Sequence, residues 1–278
     1  CQMKLLTCNT HSIVEKDYEE KLSYFNKWLA KEEYDIVALQ EVNQTHESRK
    51  INIDELKGYV PSGEGIIIRE DNHIMRVVNS LQAQGKEYYW TWTPIKLGYG
   101  KYDEGIGIIS KHKPKEIREF YLTKSKSYTN WKVRKVIGIK VEIEGKERWF
   151  FSVHTGWWND DEENFKDQLR KLNRELSFVD EDIYLMGDFN NPSQIKNEGY
   201  DEILNSGWYD TYDLAEEKDD GITVSGLIDG WKENKNLKEM RIDFIFKTNN
   251  KKVKRSRVIF NGKVGEIVSD HFAVEIEE

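Results

Sequence analysis

The chain has 278 residues, 38% of them hydrophobic and 33% charged, with a net charge of −8. That is enough apolar material for a sizeable core, and too negative a balance for a global field that gathers nucleic acid or anionic lipid. Two cysteines, Cys1 and Cys8, provide neither a disulfide framework nor zinc-ligand spacing, and no apolar run approaches the roughly 18 residues of a membrane span.

Met3 reads as the natural start, with Cys1 and Gln2 a remnant ahead of it; the alternative is a processed lipoprotein acylated on Cys1, which would lack a spacer before the first strand. A reducing, cytoplasmic setting is the simpler expectation. Residues 4–8 form a short apolar strand that stops at Asn9-Thr10-His11. Leu22, Phe25 and Leu29 recur at helical spacing, which predicts an amphipathic helix over 17–31 with acidic residues in its first turn. Residues 35–41 are a buried strand running into Glu41, so strand, helix and strand make a βαβ unit.

The sequon Asn43-Gln44-Thr45 reads as chance, and residues 43–64 are polar and irregular. Ile74, Val77, Val78 and Leu81 predict a second helix over 72–83. Strands are expected at 88–95 and 106–110, separated by a loop at 97–105 rich in glycine and tyrosine. Gly105 and Gly107 mark close backbone approach in a strand, because no helix pattern follows to make a dinucleotide fingerprint.

Three more strands follow at 116–122, 133–143 and 148–154, with a hairpin turn at 144–146. The strongest helix covers 160–179, where Phe165, Leu169, Leu172, Leu176 and Val179 form one stripe and Asp160 and Asp161 are placed to cap it. A strand at 183–187, a mixed polar segment, and strands at 241–247, 252–260 and 272–276 close the chain. No repeat or linker divides it, so residues 1–278 read as a single domain. Strands outnumber helices and many neighbours are joined by tight turns. The expected fold is therefore α/β (α+β), a four-layer sandwich of two mixed β-sheets packed face to face with helices outside.

Polar groups recur where apolar strands stop: Asn9, Glu41, His154, then Asp188 and Asn190. Asp188 and Asn190, two residues apart, would share one face of an extended segment. Asp243 interrupts the apolar run at 241–247, and Ser269-Asp270-His271-Phe272 precedes the last strand. Taken singly, each of these is more often a turn or solvated residue. Together they hold four carboxylates, two imidazoles and two amides, a set suited to one or two hard cations, most simply Mg²⁺ with Mn²⁺ as a substitute.

In sequence order the pieces are Leu-Leu-Thr-Cys-Asn9, Ala-Leu-Gln-Glu41-Val, Val-His154-Thr, Gly-Asp188-Phe-Asn190, Arg-Ile-Asp243-Phe-Ile and Ser-Asp270-His271-Phe. That order resembles the endonuclease/exonuclease/phosphatase superfamily, the fold of deoxyribonuclease I, AP endonucleases, inositol polyphosphate 5-phosphatases and bacterial sphingomyelinases. The resemblance implies phosphoester hydrolysis. By it, Glu41 is the principal Mg²⁺ ligand with Asn9 beside it, and Asp270 completes a second position. Asp188 orients or deprotonates the attacking water, Asn190 binds a phosphoryl oxygen, and His271 meets the phosphate, oriented by Asp243. His154 contacts the phosphate or donates toward the leaving group. Arg134 or Lys135, in the strand before His154, would add a cation over the phosphate; a solvated strand residue is the alternative. Two departures matter. His11 stands where several members carry a second acidic residue, and Thr155-Gly156-Trp157-Trp158-Asn159 lacks the tyrosine-containing stretch of AP endonucleases.

The substrate is a separate question. A nuclease would want a basic face, and the run from Lys247 to Arg257, with six Lys or Arg, reads instead as a solvated hairpin. A sphingomyelinase would want a signal peptide and an apolar hairpin for the bilayer. A non-enzymatic binding module would have lost a central group, and none is missing. The partner expected is a small phosphorylated sugar, with no stable nucleic-acid complex and no membrane. Trp157, Trp158, Trp231 and Asp229, with Tyr99 and Tyr102 in the glycine-rich loop, are placed to cover sugar rings and serve hydroxyls, unless they simply pack under loops. The phrases Gly-Leu-Ile-Asp-Gly-Trp and Met-Arg-Ile-Asp-Phe-Ile-Phe resemble one bacterial branch, the maltose 6'-phosphate phosphatases of Gram-positive bacteria, which act on a sugar imported by a phosphotransferase system.

Overall fold

Lys4–Asn9 (β1) and Ile36–Thr45 (β2) run parallel from Leu5↔Ile36 to Asn9↔Gln40, with Tyr18–Glu32 (α1) crossing between them. A computed structural model describes residues 3–226, 228, 230–231 and 237–278. After β2 come His73–Ala83 (α2), Tyr89–Gly98 (β3), Tyr102–Ser110 (β4), Glu116–Tyr121 (β5), Lys135–Ile143 (β6) and Lys146–His154 (β7). Phe165–Leu176 (α3), Asp182–Asp188 (β8), Gly199–Asn205 (α4), Tyr209–Asp210 (β9), Thr211–Leu214 (α5) and Ala215–Lys218 (β10) follow. Val224–Ser225 (β11), Glu239–Met240 (β12), Asp243–Lys247 (β13), Val253–Ile259 (β14) and Ala273–Glu277 (β15) complete the order.

Among the described residues, seven strands make one sheet in the order β10-β14-β15-β1-β2-β4-β3, and six make another in the order β5-β6-β7-β8-β13-β9. Both are mixed: β1 and β2 are parallel, as are β7 and β8, while β13 is antiparallel to β8 and β15 to β1. Side chains alternate across each strand. Leu5, Ile36 and Ala38 of the larger sheet meet Ile139, Phe150, Tyr184 and Met186 of the smaller in the central layer. Leu6, Cys8, Val37 and Leu39 face the other way, under Leu22, Phe25, Ile74 and Val78 of α1 and α2. On the opposite side, Leu169, Leu172 and Leu176 of α3 cover Phe151, Val153 and Leu185. Strands buried on both faces explain why these segments read as unbroken apolar runs. This is the four-layer sandwich expected. Gln40 bolts the sheets together near one end, donating to Ser152 Oγ (3.0 Å) and the Met186 carbonyl (3.4 Å), while Ser152 Oγ donates to the Leu39 carbonyl (3.0 Å).

Several boundaries differ from the sequence reading. The segment 97–105 is mostly strand: β3 continues to Gly98 and β4 begins at Tyr102, paired Gly98↔Tyr102 across a short turn. The strand β2 likewise runs through the sequon to Thr45, which leaves Asn43 buried inside a sheet. The helix α3 is shorter than 160–179 and is capped by Asn164, whose side chain accepts from the Asp167 amide (2.9 Å). Asp160 instead accepts from the amides of Glu162 (2.9 Å) and Glu163 (2.7 Å) and pairs with Lys132. The helix α4 has too few apolar positions to show in the polar segment that holds it. The turn between β6 and β7 falls at Glu144 and Gly145, both with positive φ, the conformation of a two-residue hairpin.

Candidate active site

Three strands of the smaller sheet end side by side, with His154 of β7 opposite Asp188 of β8 and Asp188 opposite Asp243 of β13. The corresponding end of the larger sheet supplies Asn9 from β1 and His271 just ahead of β15. Asn9 Nδ2 donates to Asp188 Oδ2 (3.0 Å) and to the Glu41 carboxylate. Ser269 Oγ donates to the Asn9 carbonyl (2.6 Å) and accepts from the His271 amide (3.3 Å), which fixes the last motif against the first.

Glu41 does not sit at a strand end. Leu39 pairs with Gly107 and Val42 with Gly105, so Gln40 and Glu41 together oppose Ile106. This bulge, with Glu41 at φ 51°, turns the carboxylate toward Asn9. A second bulge lies in β3, where Ile95 is the extra residue between Pro94↔Gly105 and Lys96↔Glu104. Gly105 faces both bulges, and a Cβ there would lie 2.4 Å from the Thr93 carbonyl oxygen. The close approach read from the sequence is thus present, and it is to Thr93 and the Trp92 indole of β3.

A cavity of about 430 Å³ is lined by Glu41, Asp188, Asp270, His154, His271 and Asn190 together with Lys96, Glu104, Arg134, Trp131 and Trp157. Lys96, Glu104 and Trp131 escaped the sequence reading. Pro94 inside a strand was the available signal, since proline in a sheet marks an edge or a bulge. Lys96 Nζ donates to the Trp131 carbonyl (2.8 Å) and lies 3.8 Å from Glu104. Burial, then the neighbouring Arg134 charge, pushes its pKa down to about 7.

Asp188 is buried, with Oδ2 3.3 Å from His154 Nε2 and 3.5 Å from His271 Nε2, and with Oδ1 accepting the Asn190 amide (3.0 Å). Burial alone would raise its pKa, but the His271 charge, with hydrogen bonds from His154 and Asn9, holds the carboxyl well below the usual range. Burial also opposes charge on His271, yet Asp243, 2.9 Å from Nδ1, and Asp188 hold that imidazole protonated well above its ordinary value. Burial and the Arg134 charge push His154 the other way, to about 4. One imidazole beside Asp188 is therefore a cation and the other is neutral.

The expectation that Asp188 and Asn190 share one face of a strand is corrected. The strand β8 ends at Asp188, and Asn190 adopts φ 48°, so a turn closed by the Asp188 carboxylate brings the amide round. Asn190 Nδ2 donates to the Thr155 carbonyl (2.8 Å), and its Oδ1 accepts from Trp231 Nε1 (3.2 Å). A carboxamide nitrogen carries two protons, so one donor remains for a ligand. Arg134 is buried against the face of Trp157, 5.4 Å from the ring centroid. Lys135 is not in the cavity: on the alternate face of β6, its Nζ meets Thr93 Oγ1 (3.0 Å) and Glu119 (3.3 Å). Trp158 and Trp231 line an adjoining cavity rather than the one that holds Asp188. Tyr99 lines the Asp188 cavity, whereas Tyr102 begins β4. Asp229 and Cys1 lie outside the described residues.

The sequence matches the model of the Endonuclease/Exonuclease/phosphatase family over residues 6–271. The chain belongs to that family. Members of the endonuclease/exonuclease/phosphatase family are metal-dependent phosphoester hydrolases, and this chain is a hydrolase of that family. A family protein from Leptotrichia buccalis is 36% identical, superposes with a TM-score of 0.87, and is covered over 99% of both chains. The mannosyl-6-phosphatase Bt3783 of Bacteroides thetaiotaomicron shares the fold at 15% identity, with a TM-score of 0.65 and 99% and 98% of the two chains covered. D. rerio TDP2 complexed with a single-strand DNA product shares it at 14% identity, with a TM-score of 0.60 and the same coverage. No curated protein gives a significant match.

The donor set fits a divalent cation. Carboxylate oxygens of Glu41 and Asp188 lie within 4.8 Å of each other, as do those of Glu15 and Asp270; His271 and His11 complete the two groups but, protonated, offer no lone pair to a metal. Burial, then the carboxylates of Glu104 and Asp270, pushes Glu41 up to about 7, a crowding of negative charge that a cation relieves. His11, at the departure noted above, is paired with Glu15 and 4.0 Å from Asp270. Despite burial, its Glu15 and Asp270 partners raise its pKa to about 9, so an imidazolium occupies the place of the second acid.

Proposed function

We propose that this protein is a phosphomonoesterase acting on a small phosphorylated sugar, with maltose 6'-phosphate, cleaved to maltose and inorganic phosphate, as the first substrate to test. One observation carries the reading. Lys96, Arg134 and the protonated His271, all buried, are the cations lining the catalytic cavity among the described residues. They match a dianionic monoester held inside. In the run from Lys247 to Arg257, four of the six cations are paired within the protein, Lys254 with Glu277 among them. Lys247 pairs with Glu278, Arg255 with Glu275 and Glu277, and Arg257 with Glu275 and Glu32. These pairs interrupt the basic track that a polynucleotide would need there. A fold relative that cleaves a mannosyl 6-phosphate supports the same direction. A cytoplasmic setting belongs to the proposal; among the described residues no helix is long and apolar enough to cross a membrane.

Glu41 and Asn9, with Asp270 beside them, would hold a divalent cation, Mg²⁺ first and Mn²⁺ as a substitute, which supplies charge neutralisation on the phosphoryl oxygens. The chain's own groups do the rest. Asp188, held ionised between the two imidazoles, aims a water at phosphorus and accepts the proton that the water gives up. The protonated His271, fixed by Asp243 at Nδ1, presents Nε2 toward the phosphate. The free Nδ2–H of Asn190 and the guanidinium of Arg134 meet phosphoryl oxygens, the neutral His154 holds Asp188 in place through Nε2–H, and the departing alkoxide takes its proton from water. Trp131 and Trp157 wall the sugar. Parallel assays of phosphate release from maltose 6'-phosphate, nicking of plasmid DNA and cleavage of sphingomyelin test this. Release from the sugar that Asp188→Ala abolishes is expected, and DNA nicking at comparable efficiency would sink the reading.

A further inference from the structure

A second cavity, about 830 Å³, adjoins the catalytic one, and Trp131, Trp157, Asn190 and Gly230 line both. Past that shared wall, Trp158 and Trp231 add two more indoles, and Glu198 and Asn159 add polar groups. No lysine or arginine lines it among the described residues. We propose that this cavity is the subsite for a second, unphosphorylated sugar ring, so that the enzyme selects disaccharide phosphates over monosaccharide phosphates. The inference rests on the sugar-phosphatase reading above.

The chemistry of the lining fits such a ring. A pyranose offers an apolar C–H face to indoles and a rim of hydroxyls to carboxylate and amide groups, and a pocket of this size encloses a whole small ligand. Trp131 leaves 59% of its surface exposed, with the Lys132 ammonium 5.5 Å from its ring centroid. Trp157 Nε1 is buried with no hydrogen-bond partner among the described residues, a donor that a ligand hydroxyl would satisfy. The Trp157 ring is held in place. Trp131 packs at 5.9 Å between centroids, the Arg134 guanidinium lies over one face, and a Cβ on Gly230 would approach the ring to 2.4 Å. Asp160 is already engaged by Lys132 and two backbone amides, which leaves Glu198 and Asn159 for hydroxyls. A polynucleotide threaded here would bring its next phosphate toward the Glu198 carboxylate with no described cation to receive it.

The two cavities are also wired together, because Trp231 of the second donates to Asn190 of the first (3.2 Å). The test is kcat/KM of the full chain on p-nitrophenyl phosphate, glucose 6-phosphate and maltose 6'-phosphate, for the wild type, Glu198→Ala and Asn159→Ala. Both substitutions lie outside the catalytic cavity, at half-buried and exposed positions. Maltose 6'-phosphate should exceed glucose 6-phosphate by about tenfold or more, and each variant should lower the disaccharide value roughly three- to tenfold through KM, with the other two substrates unchanged. Equal values for the two sugar phosphates, or variants that lower both equally or neither, overturn the subsite while leaving the sugar-phosphatase reading intact. Hydrolysis of p-nitrophenyl phosphate with neither sugar phosphate accepted overturns that reading and the subsite with it.

Discussion

Trp231 donates its indole N–H to Oδ1 of Asn190, and together with the Asn190 donation to the Thr155 carbonyl this bond fixes which way the carboxamide points. With Oδ1 occupied by the indole and one Nδ2 proton on the Thr155 carbonyl, the remaining N–H is aimed by elimination. Trp231→Phe keeps an aromatic against Ile228 and Met240 but removes the donor. The expected result is a fall in kcat of roughly three- to tenfold, the worth of one hydrogen bond, with an unchanged melting temperature. Steady-state kinetics beside a thermal melt check it, and an unaltered kcat would refute the orienting role.

Asp243 touches His271 at Nδ1 and has no access to the cavity lining, so its contribution runs through the imidazole. Asp243→Asn preserves shape but removes the charge that, with Asp188, keeps His271 protonated. We expect kcat to drop about a hundredfold or more, by analogy with aspartates that orient a catalytic imidazole. Proton NMR of the His271 ring should show its pKa lowered in the variant. A variant with normal kcat and an unmoved His271 resonance would rule the role out.

The carboxylates around Glu41 repel one another without a cation, so metal binding should stabilise the fold as well as activate it. Chelation is expected to abolish hydrolysis, and Mg²⁺ should restore it and raise the unfolding free energy by about 2.7 kcal/mol at one hundred times its dissociation constant. Glu41→Gln should need far higher Mg²⁺ for both effects. Full activity in protein shown by elemental analysis to be free of metal would contradict the assignment of Glu41, Asn9 and Asp270.

What the sequence could show of this site follows from how each residue reaches it. Asn9, His154 and Asp188 end strands, and Asp243 begins one, so an apolar run next to a polar residue announces them. His271 follows the same logic from the other end of β15. Glu41 is visible as a residue, but not the bulge that turns it, because a bulge is set by pairing with β4 and leaves no mark on β2 alone. Lys96 and Glu104 arrive through the second bulge, where Pro94 is the one local mark, and Trp131 through a loop that carries none. Lys135 was offered beside Arg134 because neighbours in a strand look alike in sequence. The two-residue period sends only one of them to the cavity, and register decides which. The layers were legible because each sheet is covered on both faces; the length of α3 was not, since the Asp160 carboxylate is spent on Lys132 and a turn.

His73, at the start of α2 and remote from the catalytic cavity, gives the fold a separate dependence on pH. It is buried, its Nδ1 meets the Tyr18 hydroxyl of α1 at 2.7 Å, and burial followed by the Arg76 charge pushes its pKa down to about 3. In the unfolded chain the same imidazole titrates near 6.5. Above that value both states are neutral and the residue contributes no slope. As pH falls from 6.5 toward 3, the unfolded chain takes up a proton that the folded one refuses, so stability is lost at up to about 1.4 kcal/mol per pH unit. His73→Gln keeps a partner for the Tyr18 hydroxyl and removes the titration. Comparing denaturant unfolding of the wild type and variant isolates His73 from His11, Glu41 and the other groups that titrate nearby. The wild type's advantage over the variant should shrink by roughly 2 kcal/mol between pH 6.5 and 5 and stay constant from 7 to 8. A constant difference across the whole range would mean that the imidazole accepts its proton without unfolding.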